Sequence, residues 1–488
     1  MSSTPKVGCF GGFFTRRFKN RRSSDDIPPC RAVDQCTGRC SYSVTHDEAS
    51  ENCESYDDVN TFSPCCDFSY ASPNEWWLTS ETPPSYSQIQ SIPRDSDAWK
   101  VVENTVDELD SQLRTLSLQI HSHPETMFEE KHAHDLLTKF MTSHGFVVTK
   151  HYLGLKTAWR AEYSQGEGGR VLGINSEMDA LRGMGHACGH NLIAISGVGT
   201  AIAVKAAMQS QNIPGKVILL GTPAEEGGGG KVILLERGGY KDMDACIMCH
   251  PGPGFPHSTS VGSSIAMQPI EVEYFGRSAH AGAAPWEGAN ALDAAFLAYS
   301  SISVLRQQMK PDHRVHGIVL GKNWAPNVIP DYAQMRWCVR APTYGELMAF
   351  VERVKNCFEA AALATSCTIK LKLDTPYFDL HQNAVLAQDF ADIVGSRYGL
   401  QMTHVGTSAS TDFGNISYEL PSLHPMFAIP TEPQGGNHTP AFAKAAATKP
   451  AHAATMLVTK GLAITGFRVL SDNVFFEKIQ NAFHASKA

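Results

Sequence analysis

From residue 102 onward the apolar side chains fall at Val102, Val106, Leu109, Leu113, Leu116 and Ile120. The steps of four and three gather them on one face of an amphipathic helix, and the folded part of the chain is read as beginning here, from about residue 94. A second helical pattern, EEKHAHDLLTKFMTSHG, follows a His-Pro-Glu turn and stops at Gly145. Beyond it come short runs that are apolar throughout: VLGIN, then a helix from Asn191 to about Gln209, then KVILLGT, KVILLERGG and ACIMCH. Continuous apolar runs predict strands buried on both faces, hence an α/β domain around a mostly parallel sheet. In such sheets ligands collect beyond the carboxyl ends of the strands. Asp179, Glu225, Glu226 and His250 all stand in that position, just after an apolar run.

Between about Ser264 and Asp374 the pattern changes. IAMQPIEVEYFG, a helix from Asn290 to Met309, HGIVLG, YAQMRWCVRAP, a helix from Tyr344 to Leu363 and CTIKLKLD follow one another. This is strand, helix, strand, strand, helix, strand, the order of a ferredoxin-like α+β unit inserted into the first domain. The helix-rich remainder, from Leu380 to about Phe467, is expected to return to that domain. The resulting division is 94–263 with 375–488 for one domain and 264–374 for the insertion.

Residues 1–93 show no such periodicity and are rich in Ser, Pro, Asp and Cys, which predicts a largely disordered tail. Seven of the 13 cysteines lie in it, at 9, 30, 36, 40, 53, 65 and 66. CRAVDQCTGRC lacks the paired spacings and histidines of a zinc site, so these read as free thiols. The opening GCFGGFFTRRFKNRR is too short and interrupted in its apolar run for a signal peptide, and no later stretch reads as a membrane span, which predicts a soluble, cytoplasmic protein. The formal net charge of -8 argues against a nucleic-acid partner for the folded part, since phosphate binding needs a basic stripe.

Candidate chemistry centres on GMGHACGHNLIAISG, where Cys188 and His190 stand one residue apart in a glycine-rich loop before an apolar helix. In GTPAEEGGGGK, Glu225 and Glu226 follow an apolar run. On an extended backbone they would point opposite ways, one to a metal and the other to water as a general base. His250 closes ACIMCHPGPG and is by itself either a core residue or a ligand; His438, in PQGGNHTPAF, is equally ambiguous alone. Together Cys188, His190, Glu226, His250 and His438 form a thiolate, imidazole and carboxylate set suited to zinc or, less well, manganese. Five ligands exceed what one tetrahedral ion takes, but two divalent ions would use them all.

HPETMFEE, SEMDALRGMGHACGHN, TPAEEGGGGK, FGRSAHAGAAPWEGANALDAA, NVIPDYAQMRWCVRAP, STDFGNISYELPSLHP and GGNHTPAF occur in the order and at the approximate separations of the M20 metallopeptidases. From about residue 98 to 467 the chain resembles that family, and within it the amidohydrolase branch with its Cys-Gly-His pair. The resemblance implies Cys188, His190, Glu226, His250 and His438 as ligands of two ions and Glu225 as the base. It makes 264–374 a lid and dimerisation domain, with His280 reaching the partner's site in a homodimer, and Asn327 and Arg340 binding substrate. The implied activity is cleavage of the amide bond of a small-molecule substrate, a dipeptide or an N-acyl amino acid. An aminoacylase acting on N-acyl amino acids or a secondary metabolite is the alternative. A non-catalytic binding protein would have lost ligands or base, and all six positions are filled. The His-x-Asp of better-known members reads Glu177-Met178-Asp179 here, which makes Asp179 an orienting residue rather than a ligand. Asn191 stands where hippurate and auxin-conjugate hydrolases of the branch continue with Asp, so their substrates do not transfer.

Overall fold

The six residues of the first apolar stripe are all buried on a helix, Asp97–Ser122, in the computed structural model, which describes residues 97–487. The readings made of residues 1–93 lie outside the described residues. The second helix, Lys131–Ser143, stops where Gly145 takes a positive φ of 74°.

Six strands form the main sheet, in the order Val147–Lys150, Trp159–Gln165, Gly215–Thr222, Arg170–Glu177, Ala245–Ile247 and Ser422–Leu423. The last four run parallel to one another, and the first two add an antiparallel edge. The mostly parallel α/β sheet is therefore as expected. Helix His190–Gln211 is buried over most of its length because it is wedged between this sheet and the helices Asp97–Ser122 and Lys449–Ser471. Two glycines make the wedge fit. A Cβ on Gly197 would come within 2.3 Å of Ser176 Oγ on the sheet, and one on Gly199 within 2.9 Å of Thr459 Cγ2 on the opposite side.

Residues 266–373 build a separate antiparallel sheet, ordered Thr368–Leu373, Ala266–Phe275, Tyr332–Ala341 and Arg314–Gly321. With helices Ala291–Leu305 and Tyr344–Thr365 it encloses its own core, which includes Val272, Tyr274, Trp337, Val351 and Phe358. Both helices start on side-chain caps. Asn290 Oδ1 accepts from the N–H groups of Leu292 and Asp293, and Thr343 Oγ1 from Glu346.

Two expectations need correction. KVILLERGG is not a strand. KVILL occurs twice, at 216–220 and 231–235; the first copy lies in strand Gly215–Thr222 and the second forms helix Gly230–Glu236. The first copy has ladders on both sides. The second follows Gly229 at φ 63°, and Asp412 caps it from far along the chain, with Oδ2 accepting the Lys231 N–H at 2.9 Å. The Lys231 ammonium is itself tied down, 2.6 Å from Asp412 Oδ1 and 2.6 Å from Glu177 Oε1, with no exposure to solvent. Tertiary context thus overrides a local pattern that is identical in both places. In addition, helices His190–Gln211 and Lys449–Ser471 are long and apolar enough to cross a membrane, although no such stretch was expected; each is mostly buried inside the fold.

Removing the Lys231 ammonium strands two buried carboxylates. Lys231→Ala should lower stability by about 3–5 kcal/mol, read as a shifted denaturation midpoint. The charge-balanced triple variant Lys231→Met, Glu177→Gln, Asp412→Asn should recover much of the loss.

Candidate metal centre

The centre forms at the carboxyl ends of the parallel strands. Asp179 follows Arg170–Glu177, Glu225 and Glu226 follow Gly215–Thr222, and His250 follows Ala245–Ile247. Gly189, at φ 80°, ends the Cys188 loop and starts the helix whose first residue is His190. A Cβ at Gly189 would lie 2.6 Å from Pro251 Cγ, so glycine is what lets this loop close on the His250 segment. His438 holds a left-handed backbone, φ 65°, and its N–H donates to Ala187 O at 2.8 Å, which docks its loop beside Cys188.

These elements bring the five proposed ligands to one place. Cys188 Sγ lies 3.4 Å from His250 Nε2. His190 Nε2 is 3.9 Å from Glu226 Oε1 and 3.9 Å from Glu225 Oε2, and His438 Nε2 is 3.4 Å from Glu226 Oε2. Cys188, His190 and His250 form one group whose candidate ligand atoms all lie within 4.8 Å of one another, and Cys188, Glu226 and His438 form another. The far ring nitrogens are engaged elsewhere: His190 Nδ1 with Asp179 Oδ1 at 3.1 Å and His250 Nδ1 with Pro251 O at 2.7 Å. That leaves both Nε2 atoms facing the shared space, the usual outer support of a metal-binding histidine. Asp179 Oδ2 also accepts the Glu226 N–H at 3.0 Å, so Asp179 orients its neighbours as its place in Glu177-Met178-Asp179 suggested.

His190 Nε2 and Glu226 Oε1 are buried without a hydrogen-bond partner. Buried polar atoms are nearly always paired, so two orphans facing the same space, beside a thiol and two further imidazoles, fit a bound divalent cation.

Glu225 and Glu226 do not sit on an extended backbone. They open the turn 225–228, after Ala224 at φ 59°, and both carboxylates reach the same space rather than opposite faces. The turn is braced by Tyr377, whose hydroxyl donates to Glu225 O at 2.7 Å and accepts the Gly229 N–H at 2.9 Å. Three residues not proposed from sequence complete the floor: Glu177, Lys231 and Asp412, all fully buried. Glu177 Oε2 lies 3.4 Å from His190 Nε2. Each stood in a motif already noted (Glu177-Met178-Asp179, GGGGK, STDF), but their pairing spans three distant segments.

Charge follows from this crowding. Burial, then Glu177, Glu226 and Asp412, push the Glu225 carboxyl well up. Burial works against a charge on His190, yet Asp179 and Glu177 outweigh it and hold the imidazole well above its usual range. Burial, reinforced by Glu226, pushes the Cys188 thiol up. Burial would also raise Glu177, but the Lys231 ammonium holds it ionised, at about 2.

His280 and Asn327 do not join the cluster. They lie together on the inserted unit, where Ala281 N–H donates to Asn327 O at 3.0 Å, and both are exposed. The His280 ring Nδ1 accepts from Gly282 and Ala283 N–H at 3.2 and 3.1 Å. Arg340 comes nearer. Its Nη1 donates to Ser410 Oγ at 2.8 Å; burial lowers its proton affinity, and Cys338 and Glu225 offset this only in part.

A parallel sheet with a thiol, three imidazoles and paired carboxylates at its strand ends defines a metal-dependent hydrolase centre. Residues 173–458 match the family described as Peptidase family M20/M25/M40. Over 395 residues, covering 78% of this chain and 90% of the relative, the sequence is 40% identical to a Mus musculus Xaa-Arg dipeptidase. It is 25% identical over 459 residues to a p-aminobenzoyl-glutamate hydrolase polypeptide of Escherichia coli, covering 78% of this chain and 94% of that one. The fold is similar to that of the Bacillus subtilis YXEP protein, a dinuclear metal binding peptidase from the M20 family, with TM-score 0.57, 22% identity and coverage of 75% and 99%. The chain belongs to peptidase family M20/M25/M40, as its motifs implied.

Metal-free protein at pH 7 should carry protons on Cys188 and His190 that ligation displaces, because thiolate and neutral imidazole are the binding forms. Titration with Zn2+ should therefore release about two protons, and affinity should fall on acidification. Calorimetry in buffers of different ionisation heat reads this directly, and an apparent enthalpy independent of buffer would contradict it.

Proposed function

We propose that this chain hydrolyses the amide bond of small peptides or N-acyl amino acids with two divalent ions, zinc or manganese, held by Cys188, His190, Glu226, His250 and His438. The observation that carries the reading is the convergence of these five side chains, with His190 Nε2 and Glu226 Oε1 buried without a hydrogen-bond partner, beside the carboxylate of Glu225. Bound there, such ions supply Lewis acidity toward a carbonyl and make water acidic enough to attack near neutral pH.

The chain's own residues do the rest. Glu225 accepts a proton as the water oxygen bonds to the carbonyl carbon, and returns it to the nitrogen as the C–N bond breaks. Asp179 keeps His190 in one tautomer. Arg340 meets the substrate carboxylate and Asn327 assists it. His280, distant from the cluster in its own chain, polarises the scissile carbonyl in the partner's site, which makes the working unit a homodimer. Similarity to proteins named Xaa-Arg dipeptidase favours dipeptides with a basic C-terminal residue. A second reading, N-acyl amino acids, is favoured by similarity to a protein named as part of a p-aminobenzoyl-glutamate hydrolase.

A library of dipeptides and N-acyl amino acids, incubated with metal-loaded protein and read by amine release, separates the two. Dipeptides ending in arginine are expected to be cleaved fastest; cleavage confined to N-acyl amino acids would select the second reading. Glu225→Gln should keep its metal but lose at least about a hundredfold in turnover, as for removal of a general base. Glu226→Gln should instead lose metal, and retention of both metal and activity by the two variants would refute these roles. His280→Ala and Glu225→Gln, each nearly inactive, should regain activity when mixed after exchange of protomers, and proven exchange without regain would contradict a shared site.

A further inference from the structure

Arg340 is gripped from two sides. Besides the Nη1 bond to Ser410 Oγ, on the segment leading to Asp412, its Nε donates to His316 Nε2 at 3.3 Å. The two residues share one face of the antiparallel pair Arg314–Gly321 and Tyr332–Ala341. His316 stands opposite Cys338 and Arg340 opposite Arg314, which places His316 and Arg340 on the diagonal, within reach of long side chains. Arg340 is directly across the ladder from a like charge, yet Arg314 turns its guanidinium away to the carbonyls of Pro311 and His313. Arg340 Nη2 makes no hydrogen bond among the described residues.

We propose that His316 is a positioning residue for substrate binding: as a neutral imidazole it accepts the Arg340 Nε–H and, with Ser410, presents the Nη2 edge of the guanidinium to the substrate carboxylate. This rests on the reading of Arg340 as the carboxylate-binding residue. The bond works in one protonation state only. A neutral ring with its proton on Nδ1 offers Nε2 as an acceptor; an imidazolium has N–H on both nitrogens, cannot accept, and puts a second positive charge beside Arg340.

The groups around His316 favour the neutral form. Arg340 and Cys338 face it from strand Tyr332–Ala341 and Arg306 from beyond the end of helix Ala291–Leu305, while Arg314, two residues back on its own strand, is turned to the carbonyls of Pro311 and His313. Burial raises the Cys338 thiol, so that group stays neutral, and no carboxylate is bonded to the ring among the described residues. Burial first, then Arg340 and Arg306, hold His316 below the usual histidine range. The sign follows. The clasp is intact near neutrality, and as pH falls through that lowered value the ring charges, Arg340 is released, and substrate binds more weakly.

The test is steady-state kinetics of the metal-loaded full chain on its best-cleaved library substrate, between about pH 5 and 8, the range in which histidine titrates. His316 is not part of the inserted unit's apolar core, so replacing it leaves that core intact. His316→Ala should raise KM about tenfold near neutral pH with kcat nearly unchanged, the size expected for a lost hydrogen bond to a charged group. His316→Gln keeps an acceptor that does not titrate in this range, so it should restore most of the wild-type KM and abolish its rise in acid. A His316→Ala KM within about twofold of wild type, or a Gln variant as impaired as the Ala variant, would overturn the proposal. Arg340→Ala separates the two levels. If it raises KM and His316→Ala does not, the positioning role fails alone; if it leaves KM unchanged, the carboxylate-binding reading fails and takes the positioning role with it.

Discussion

Too much negative charge is buried in one place. Glu177, Asp179, Glu225 and Asp412 are buried at the strand ends and Glu226 is nearly so, while the one permanent cation among them is Lys231. Taking a carboxylate out of water costs several kcal/mol unless a partner compensates it. Lys231 compensates Glu177 and Asp412, and Asp179 is engaged by His190 and the Glu226 amide. What remains uncompensated faces the thiol and the imidazoles, and a bound cation is the compensation that this donor set accepts. Turn, helix and sheet all serve that arrangement: the second KVILL is helical because Asp412 caps it, and it is capped because Lys231 must reach Glu177.

The outline of this design was legible in the chain. Burial imposes periodicity, so the stripe from Val102 to Ile120, the buried parallel strands and the strand-helix order of 264–374 could be read from spacing. The ligand candidates were legible for other reasons: Glu226 and His250 stood just beyond apolar runs, where parallel strands present them, Cys188 and His190 stood one residue apart in a glycine-rich loop, and His438, ambiguous alone, joined them only as part of the set. Three features were not. The helical KVILL has the same five residues as the strand, so no local rule distinguishes them, and the difference lies in Gly229 and a cap from Asp412, 181 residues away. Glu225 and Glu226 reach one space because a turn with Ala224 at positive φ replaces the extended backbone on which they would diverge. The Glu177, Lys231 and Asp412 floor was hidden because an ion pair leaves no spacing signature when its members come from separate segments.

The inserted unit adds a second level of organisation. Its core is its own, yet several contacts join it to the rest of the fold: Met267 and Tyr377 exchange backbone hydrogen bonds, the Ile265 N–H donates to Ala409 O, the Tyr344 N–H donates to Asp379 Oδ1, and Arg340 Nη1 donates to Ser410 Oγ on the segment before Asp412. His280 and Asn327 are exposed on the inserted unit and stand outside the cluster, and the division of labour proposed above draws metal ligands and base from the strand ends of the main sheet and substrate contacts from the insertion.

Whether Cys188, His190, Glu226, His250 and His438 enclose a pair of cations is tested most directly by anomalous X-ray diffraction from crystals grown with Mn2+ or Zn2+. Two anomalous peaks are expected in the space between these five side chains, with His190 Nε2 and Glu226 Oε1 both ligated. A single peak, or peaks elsewhere that leave those two atoms without a ligand, would contradict a two-cation centre.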